Sequence, residues 1–261
     1  TIAYRAVHTH TAAPVTITVV PWKADDVPRL RLQLERQTAI ARRLQHPGIM
    51  PVLHVGCDEG YFFYVTPANT GLDGAALMTR FAGGAEHWGR VVRGDWATFA
   101  RLGVQLGDAL NYSHQMGTLH NDIRPGNVFV SRSANARLHN FQLEQCAQTA
   151  LRKDFDHNAP MVPLYVAPEC LTGNRDERSD IYSLSATLLP MATQSSTTEL
   201  NPVRRTVGTS RTNSRRLLRR EGKTVPRCFS QVLQKAMSAD PAKRFQSAAG
   251  FAAALDNVHT T

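Results

Sequence analysis

Two short runs of β-branched and aromatic residues, VTITVV at 15–20 and YFFYVT at 61–66, are bounded by Pro, Gly and Asp and predict strands. Between them Leu30, Leu34, Gln37, Ala41 and Leu44 recur at helical spacing, which predicts one helix with a polar residue, Gln37, on its inward stripe. From about residue 95 the period turns helical. Asp95 to Met116 reads as one long helix with Gly117 placed as its C-cap, Ile181, Leu184, Leu188 and Met191 mark a second, and Phe229, Leu233, Ala236 and Met237 a third. The pattern predicts a small β-rich region followed by a larger helical one, with no internal repeat.

Composition leaves that picture intact. At 261 residues, 42% hydrophobic and 20% charged, the chain has ample length for one large core or two joined lobes. No apolar run approaches the ~18 to 20 residues that span a bilayer, and TIAYRAVHTH lacks the layout of a signal peptide. Cys57, Cys146, Cys170 and Cys228 lie far apart without C-x-x-C spacing, which argues against a zinc site or a disulfide framework and suits reduced thiols in a cytoplasm. Much of the net charge of +9 sits in RRTVGTSRTNSRRLLRREGK, 204–223. This Ser/Thr/Arg-rich stretch reads as a solvated basic loop over about 192–224, with a docking surface as the alternative. No aromatics interleave with its arginines, so no nucleic-acid partner is expected.

The segment HNDIRPGNVFVSRSANARLHNFQLE, 120–144, carries a more specific signal. It resembles the catalytic and metal-binding loops of protein kinases of the bacterial serine/threonine type, H-R-D-x-x-x-x-N followed by D-F-G. His120, Asp122 and Asn127 match by type and spacing, and thirteen residues after Asn127 comes Asn140-Phe141-Gln142. PLYVAPE (163–169) resembles the end of the activation segment, RSDIYSL (178–184) the start of the buried helix that follows, and DPAKRFQSA (240–248) the closing helix. In the first region YRA (4–6) resembles the family's second strand, VTIT (15–18) its V-A-I-K strand, and LQHPGIMPVL (44–53) the link from the regulatory helix to the next strand. The resemblance implies an α+β, bilobal fold in one domain: an N-lobe and hinge over 1–70, with Thr66 as gatekeeper, and a C-lobe over 71–261. The family's first strand and glycine-rich loop have no counterpart in the sequence, which leaves two alternatives: they are absent, or they were cut away in a chain excised from a longer protein.

Phosphoryl transfer from ATP requires phosphates held in line, magnesium to neutralise them, and a carboxylate to orient the hydroxyl. The resemblance puts Thr18 where the family's phosphate-gripping lysine stands, and Gln37, nineteen positions on, where its glutamate partner stands. Both ends of that ion pair are neutral, and joint loss avoids leaving one buried charge unpaired. Asn140 replaces the metal-binding aspartate, and Asn127 is retained but neutral. Asp122 remains as the candidate base, with Arg124 in place of the loop lysine, Asn121 in place of the preceding arginine, and Val162 where a threonine often contacts the base. The alternative for Asp122 is a loop aspartate held by neighbouring backbone groups. By contrast, His120, the Glu169–Arg244 ion pair and Asp180, which in the family anchors the catalytic loop, look intact.

The expectation is a pseudokinase that needs no cofactor, binds ATP and magnesium weakly if at all, and acts as a scaffold or regulatory domain on another protein. That partner is an active kinase or a phosphopeptide-binding domain, with the basic loop as a phosphorylation target. A weakly active serine/threonine kinase, drawing a substitute cation from Lys23 or Arg5, is the alternative. An anionic-ligand module built on the basic loop is the second.

Overall fold

The computed structural model describes residues 2–21, 27–58, 61–68, 71–82, 96–141, 165–193 and 225–259. Strands β1 (Ile2–Val7), β2 (Pro14–Pro21), β3 (His54–Asp58) and β4 (Tyr61–Pro67) form an antiparallel sheet in the order β1-β2-β4-β3. Both runs singled out in the sequence are strands, and they are neighbours. The register pairs Thr16 with Thr66 and Thr18 with Tyr64, so these four side chains share one face. Helix α1 (Val27–Arg43) buries Thr38 and Ala41 and carries Arg42 and Arg43 at its C-terminus, where the helix dipole favours cations.

Residues 44–53 join this sheet to the helical lobe. Leu138 N–H donates to Gly48 O and Met50 N–H to Leu138 O, both at 2.8 Å. The His46 ring stacks on Tyr112 at 5.2 Å, and Gln45 N–H reaches the Tyr112 hydroxyl at 3.2 Å. The link therefore sets the small sheet against the strand that leads into Asn140.

The helical lobe contains α2 (Gly74–Ala82), α3 (Trp96–Gln115), α4 (Glu177–Thr193), α5 (Arg227–Ala236) and α6 (Ala248–His259), with a small sheet of β5 (Leu72–Asp73), β6 (Val128–Val130) and β7 (Ala136–Leu138). Gly117 ends α3 at φ +70, with its N–H bonded to His114 O and Thr118 N–H bonded to Ser113 O. This is a Schellman cap, and glycine adopts its left-handed residue without Cβ strain. Helix α4 is buried, as the resemblance of RSDIYSL implied, and on every side, from Ser179 to Thr193. Its polar face consists of small hydroxyls that satisfy themselves: Ser183, Ser185, Thr187 and Thr193 each donate to the carbonyl four residues back.

Helices α3 and α6 approach closely at Gly103 and Gly107. A Cβ on Gly103 would lie 2.5 Å from Leu255 Cδ1 and 3.0 Å from Leu188 Cδ1. Gly103→Val is expected to destabilise the fold by about 1–3 kcal/mol through overpacking, read as a lower urea midpoint at unchanged slope.

Candidate functional site

Asp180, in the first turn of α4, organises the loop at 118–124. Its carboxylate accepts the N–H groups of His120 and Asn121, each at 2.8 Å, and its Oδ2 lies 2.9 Å from His114 Nε2. Asn121 takes φ +61, the left-handed region that Asn tolerates better than most residues with a side chain. His120 is fully buried against Phe141, ring centroids 4.4 Å apart. Its Nδ1 accepts Asp122 N–H at 3.3 Å and its Nε2 donates to His139 O at 3.1 Å. Burial lowers the His120 pKa against the opposing pull of Asp180 and Asp122. The ring is a neutral strut between the two loops.

The segment between β7 and Phe141 closes onto the 3-10 turn Pro125–Asn127. Asn127 Nδ2 donates to both Asp122 O and Asp122 Oδ2 at 2.8 Å. Asn140, at φ +69, donates from Nδ2 to Asn127 Oδ1 at 3.4 Å. Arg124 Nε lies 3.3 Å from Asp122 Oδ1, and the Asp122 side chain is 24% exposed, within reach of a ligand. Asp122, Arg124, Asn127 and Asn140 are thus brought together, in a chain of amides that ends in one carboxylate.

His139 belongs to this assembly and was not singled out from sequence. Its N–H donates to Asn127 O at 3.1 Å, and its Nε2 donates to Gly126 O at 2.8 Å. Burial pushes its imidazole down to about 4. A lone histidine after a three-residue strand carries no periodic signal; only its neighbour Asn140 pointed to the region.

Thr18 is buried and shares its sheet face with Thr66 and Tyr64. Arg5 pairs with Thr16 across β1 and β2 and so lies on that face as well. Gln37 is in α1, but its side chain lies outside the described residues, as do Lys23, Gln142, Val162 and the basic segment from 194 to 224.

Below the site, Arg244 and Glu169 form a two-pronged ion pair, Nη1 to Oε1 at 2.6 Å and Nη2 to Oε2 at 2.7 Å. The Arg244 side chain is fully buried and also donates to Ser238 O and Arg178 O, while Ser179 Oγ donates to Glu169 Oε1 at 2.7 Å. Partial burial raises the Glu169 pKa, but the Arg244 and Ser179 hydrogen bonds outweigh it and hold the carboxyl below its ordinary 4.5. Removing one partner leaves a buried charge, so Arg244→Ala is expected to cost about 3–5 kcal/mol at neutral pH. Because the folded carboxyl is the stronger acid, this stabilisation is present above pH 4.5 and is lost as pH falls through the lowered value. Urea unfolding of both proteins should therefore show a constant gap from pH 8 to about 5 that narrows below about 4.

A bilobal α+β fold whose loops converge in this way defines a protein kinase domain. The chain matches the model of the protein kinase domain family over residues 1–255 and belongs to that family. Among curated proteins it is similar to the serine/threonine-protein kinase PknK of Mycobacterium tuberculosis, 29% identical over 267 residues that cover 98% of this chain and 22% of PknK. It is also similar to PknD of the same organism, 27% identical over 263 residues, 99% of this chain and 38% of PknD. The chain thus spans well under half the length of these relatives. The crystal structure of the Mycobacterium tuberculosis PknI kinase domain matches with a TM-score of 0.68 at 25% identity, covering 98% of this chain and 90% of that one.

Against the chemistry of such a domain, the donor set is a poor match for magnesium. A hard cation is usually held through one or two carboxylates together with substrate phosphates. Here the corresponding positions are two amides, and the Asn140 N–H points at the Asn127 oxygen that a metal would use. Among the described residues, no group of three or more His, Cys, Asp or Glu side chains is placed to hold a metal ion. No described helix is long and apolar enough to cross a membrane.

Proposed function

We propose that this is a pseudokinase: a protein-kinase domain that has lost phosphotransfer and acts on another protein as a scaffold or allosteric domain. The observation that carries the reading is the Asn140–Asn127 amide contact at 3.4 Å, which puts a donor where phosphotransfer needs an anionic metal ligand. Thr18 adds to it, because a hydroxyl on the phosphate-facing strand brings no charge. The supports of the fold are kept in full beside this loss, in Asp180, His120 and the Glu169–Arg244 pair. The domain then requires no cofactor, and its partner is a protein, an active kinase or a phosphopeptide-binding domain. The wide spacing of Cys57, Cys146, Cys170 and Cys228, without C-x-x-C pairs, supports a reducing, cytoplasmic setting.

The test is thermal unfolding with millimolar ATP, with and without magnesium or manganese. A ligand at roughly 100 times its dissociation constant would stabilise by about 2.7 kcal/mol and raise the midpoint by several degrees. The midpoint is expected to stay unchanged by metal, and a metal-dependent rise would sink the reading.

One observation favours the second reading, a weakly active serine/threonine kinase. Arg5 lies on the sheet face of Thr18, where its guanidinium would substitute for the missing lysine, and Asp122 is still held by Asn127 at 2.8 Å. Radiolabel transfer to a basic substrate protein that disappears in both Arg5→Ala and Asp122→Ala would establish it.

A further inference from the structure

At the end of the β6–β7 hairpin away from Asn127 and Asn140 lies a groove of roughly 490 Å3, lined by Arg101, Gln105, Arg132, Ser133, Ala134 and Asn135. One wall is α3, where Arg101 and Gln105 stand one turn apart; the other is the turn between the two strands. That turn is built to one shape. Ser131 N–H donates to Asn135 O at 2.9 Å, Ala134 N–H to Ser131 O at 3.0 Å, and Asn135 N–H to Ser131 Oγ at 3.1 Å, with Ala134 at φ +60. Gln105 fastens it to the helix, its Oε1 accepting Ala136 N–H at 2.8 Å and its Nε2 donating to Ala134 O at 3.3 Å. The two walls are therefore held in place before any ligand arrives.

All six lining residues are basic or neutral, and two end in guanidinium groups carried on separate elements. Two guanidiniums, that of Arg101 also donating to Thr98 Oγ1 at 3.4 Å, stand beside the Ser133 hydroxyl, which accepts Asn135 Nδ2 at 3.0 Å and lies 2.9 Å from Ser131 Oγ. Such a set of donors matches a phosphate monoester, whose double charge and three oxygens accept from several directions at once. The volume leaves room for the residue that bears the phosphate. No aromatic side chain lines the groove, so nothing there would stack on a nucleic-acid base.

We infer that this groove docks a phosphorylated serine or threonine side chain of a partner protein. The recognition is that of arginine clusters for phosphorylated motifs. It does not depend on whether the cleft around Asp122 transfers phosphate, so either reading can fail without the other.

Amide NMR shifts of Ser133, Ala134 and Asn135 provide the test. The probes are a blocked phosphothreonine (N-acetyl, N-methylamide), the same compound without phosphate, inorganic phosphate, and a short oligothymidylate. The protein is compared with Arg101→Glu/Arg132→Glu. The expected result is saturable shifts with the phosphothreonine compound, at least about threefold tighter than with inorganic phosphate, and absent in the double variant. Both substituted side chains are exposed, so the variant should unfold at the wild-type temperature. If it does not, single Arg132→Gln should still weaken binding severalfold. Four results would overturn the inference: no saturable shift, equal affinity for inorganic phosphate (an adventitious ion only), tighter binding of the oligothymidylate at the same amides, or shifts that survive the double variant.

Discussion

Asn140→Asp is expected to raise magnesium-dependent nucleotide binding above that of the wild-type domain. The substitution replaces the amide that donates to Asn127 Oδ1 with a carboxylate that cannot, which frees that oxygen and adds a negative charge beside it. A site holding ATP at roughly 100 times its dissociation constant gains about 2.7 kcal/mol, several degrees in the unfolding midpoint, and the gain should vanish with EDTA. Adding Thr18→Lys alone should destabilise the apo domain, because position 18 is buried and an unpaired ammonium there loses its hydration. Adding Gln37→Glu with it should recover that loss, since the family's ion pair would be rebuilt. The four-protein cycle of wild type, each single variant and the pair reads the coupling directly. Absence of any metal effect in the Asn140→Asp/Thr18→Lys/Gln37→Glu protein would show that the defect lies beyond these charges.

Asp180→Ala is expected to produce the largest loss of stability among single substitutions in the site. Asp180 is buried and satisfies the N–H groups of His120 and Asn121 as well as His114. Each buried donor left without an acceptor costs about 1–3 kcal/mol, so a total near 4 kcal/mol and a fall of about 10 °C in the midpoint are expected. Asp180→Asn keeps one acceptor oxygen and should fall between. Differential scanning calorimetry checks both, and a loss below about 1 kcal/mol for the alanine variant would show that the loop holds its shape without this anchor.

The two predictions concern different layers of the molecule. In the reading proposed above, catalytic charge is missing from the upper layer, around Thr18 and Asn140; the lower layer of Asp180, Glu169 and Arg244 is saturated with hydrogen bonds. A chain that needs the shape of the domain must retain the second, because a broken buried pair costs several kcal/mol against a total stability of about 5–15. It need not retain the first.

The sequence by itself determined the family and the order of the lobes and pointed to the candidate site, because these rest on local signals. Strands 15–20 and 61–66 follow from β-branched and aromatic runs, the end of α3 from Gly117, and the site from residue types at set intervals around His120 and Asn140. Only the tertiary structure decided what those residues touch. The resemblance implied a buried α4, but how its Ser and Thr positions are satisfied shows only in the hydroxyls bonded to their own helix. His139 was invisible because its contacts join residues thirteen positions apart across a turn, and no periodicity encodes such a pair. The Arg101–Arg132 groove, likewise, exists only because Gln105 ties the tip of a hairpin to a helix some thirty residues away in sequence. Local patterns report backbone preference, whereas sites are made where distant segments meet, and those meetings are set by packing.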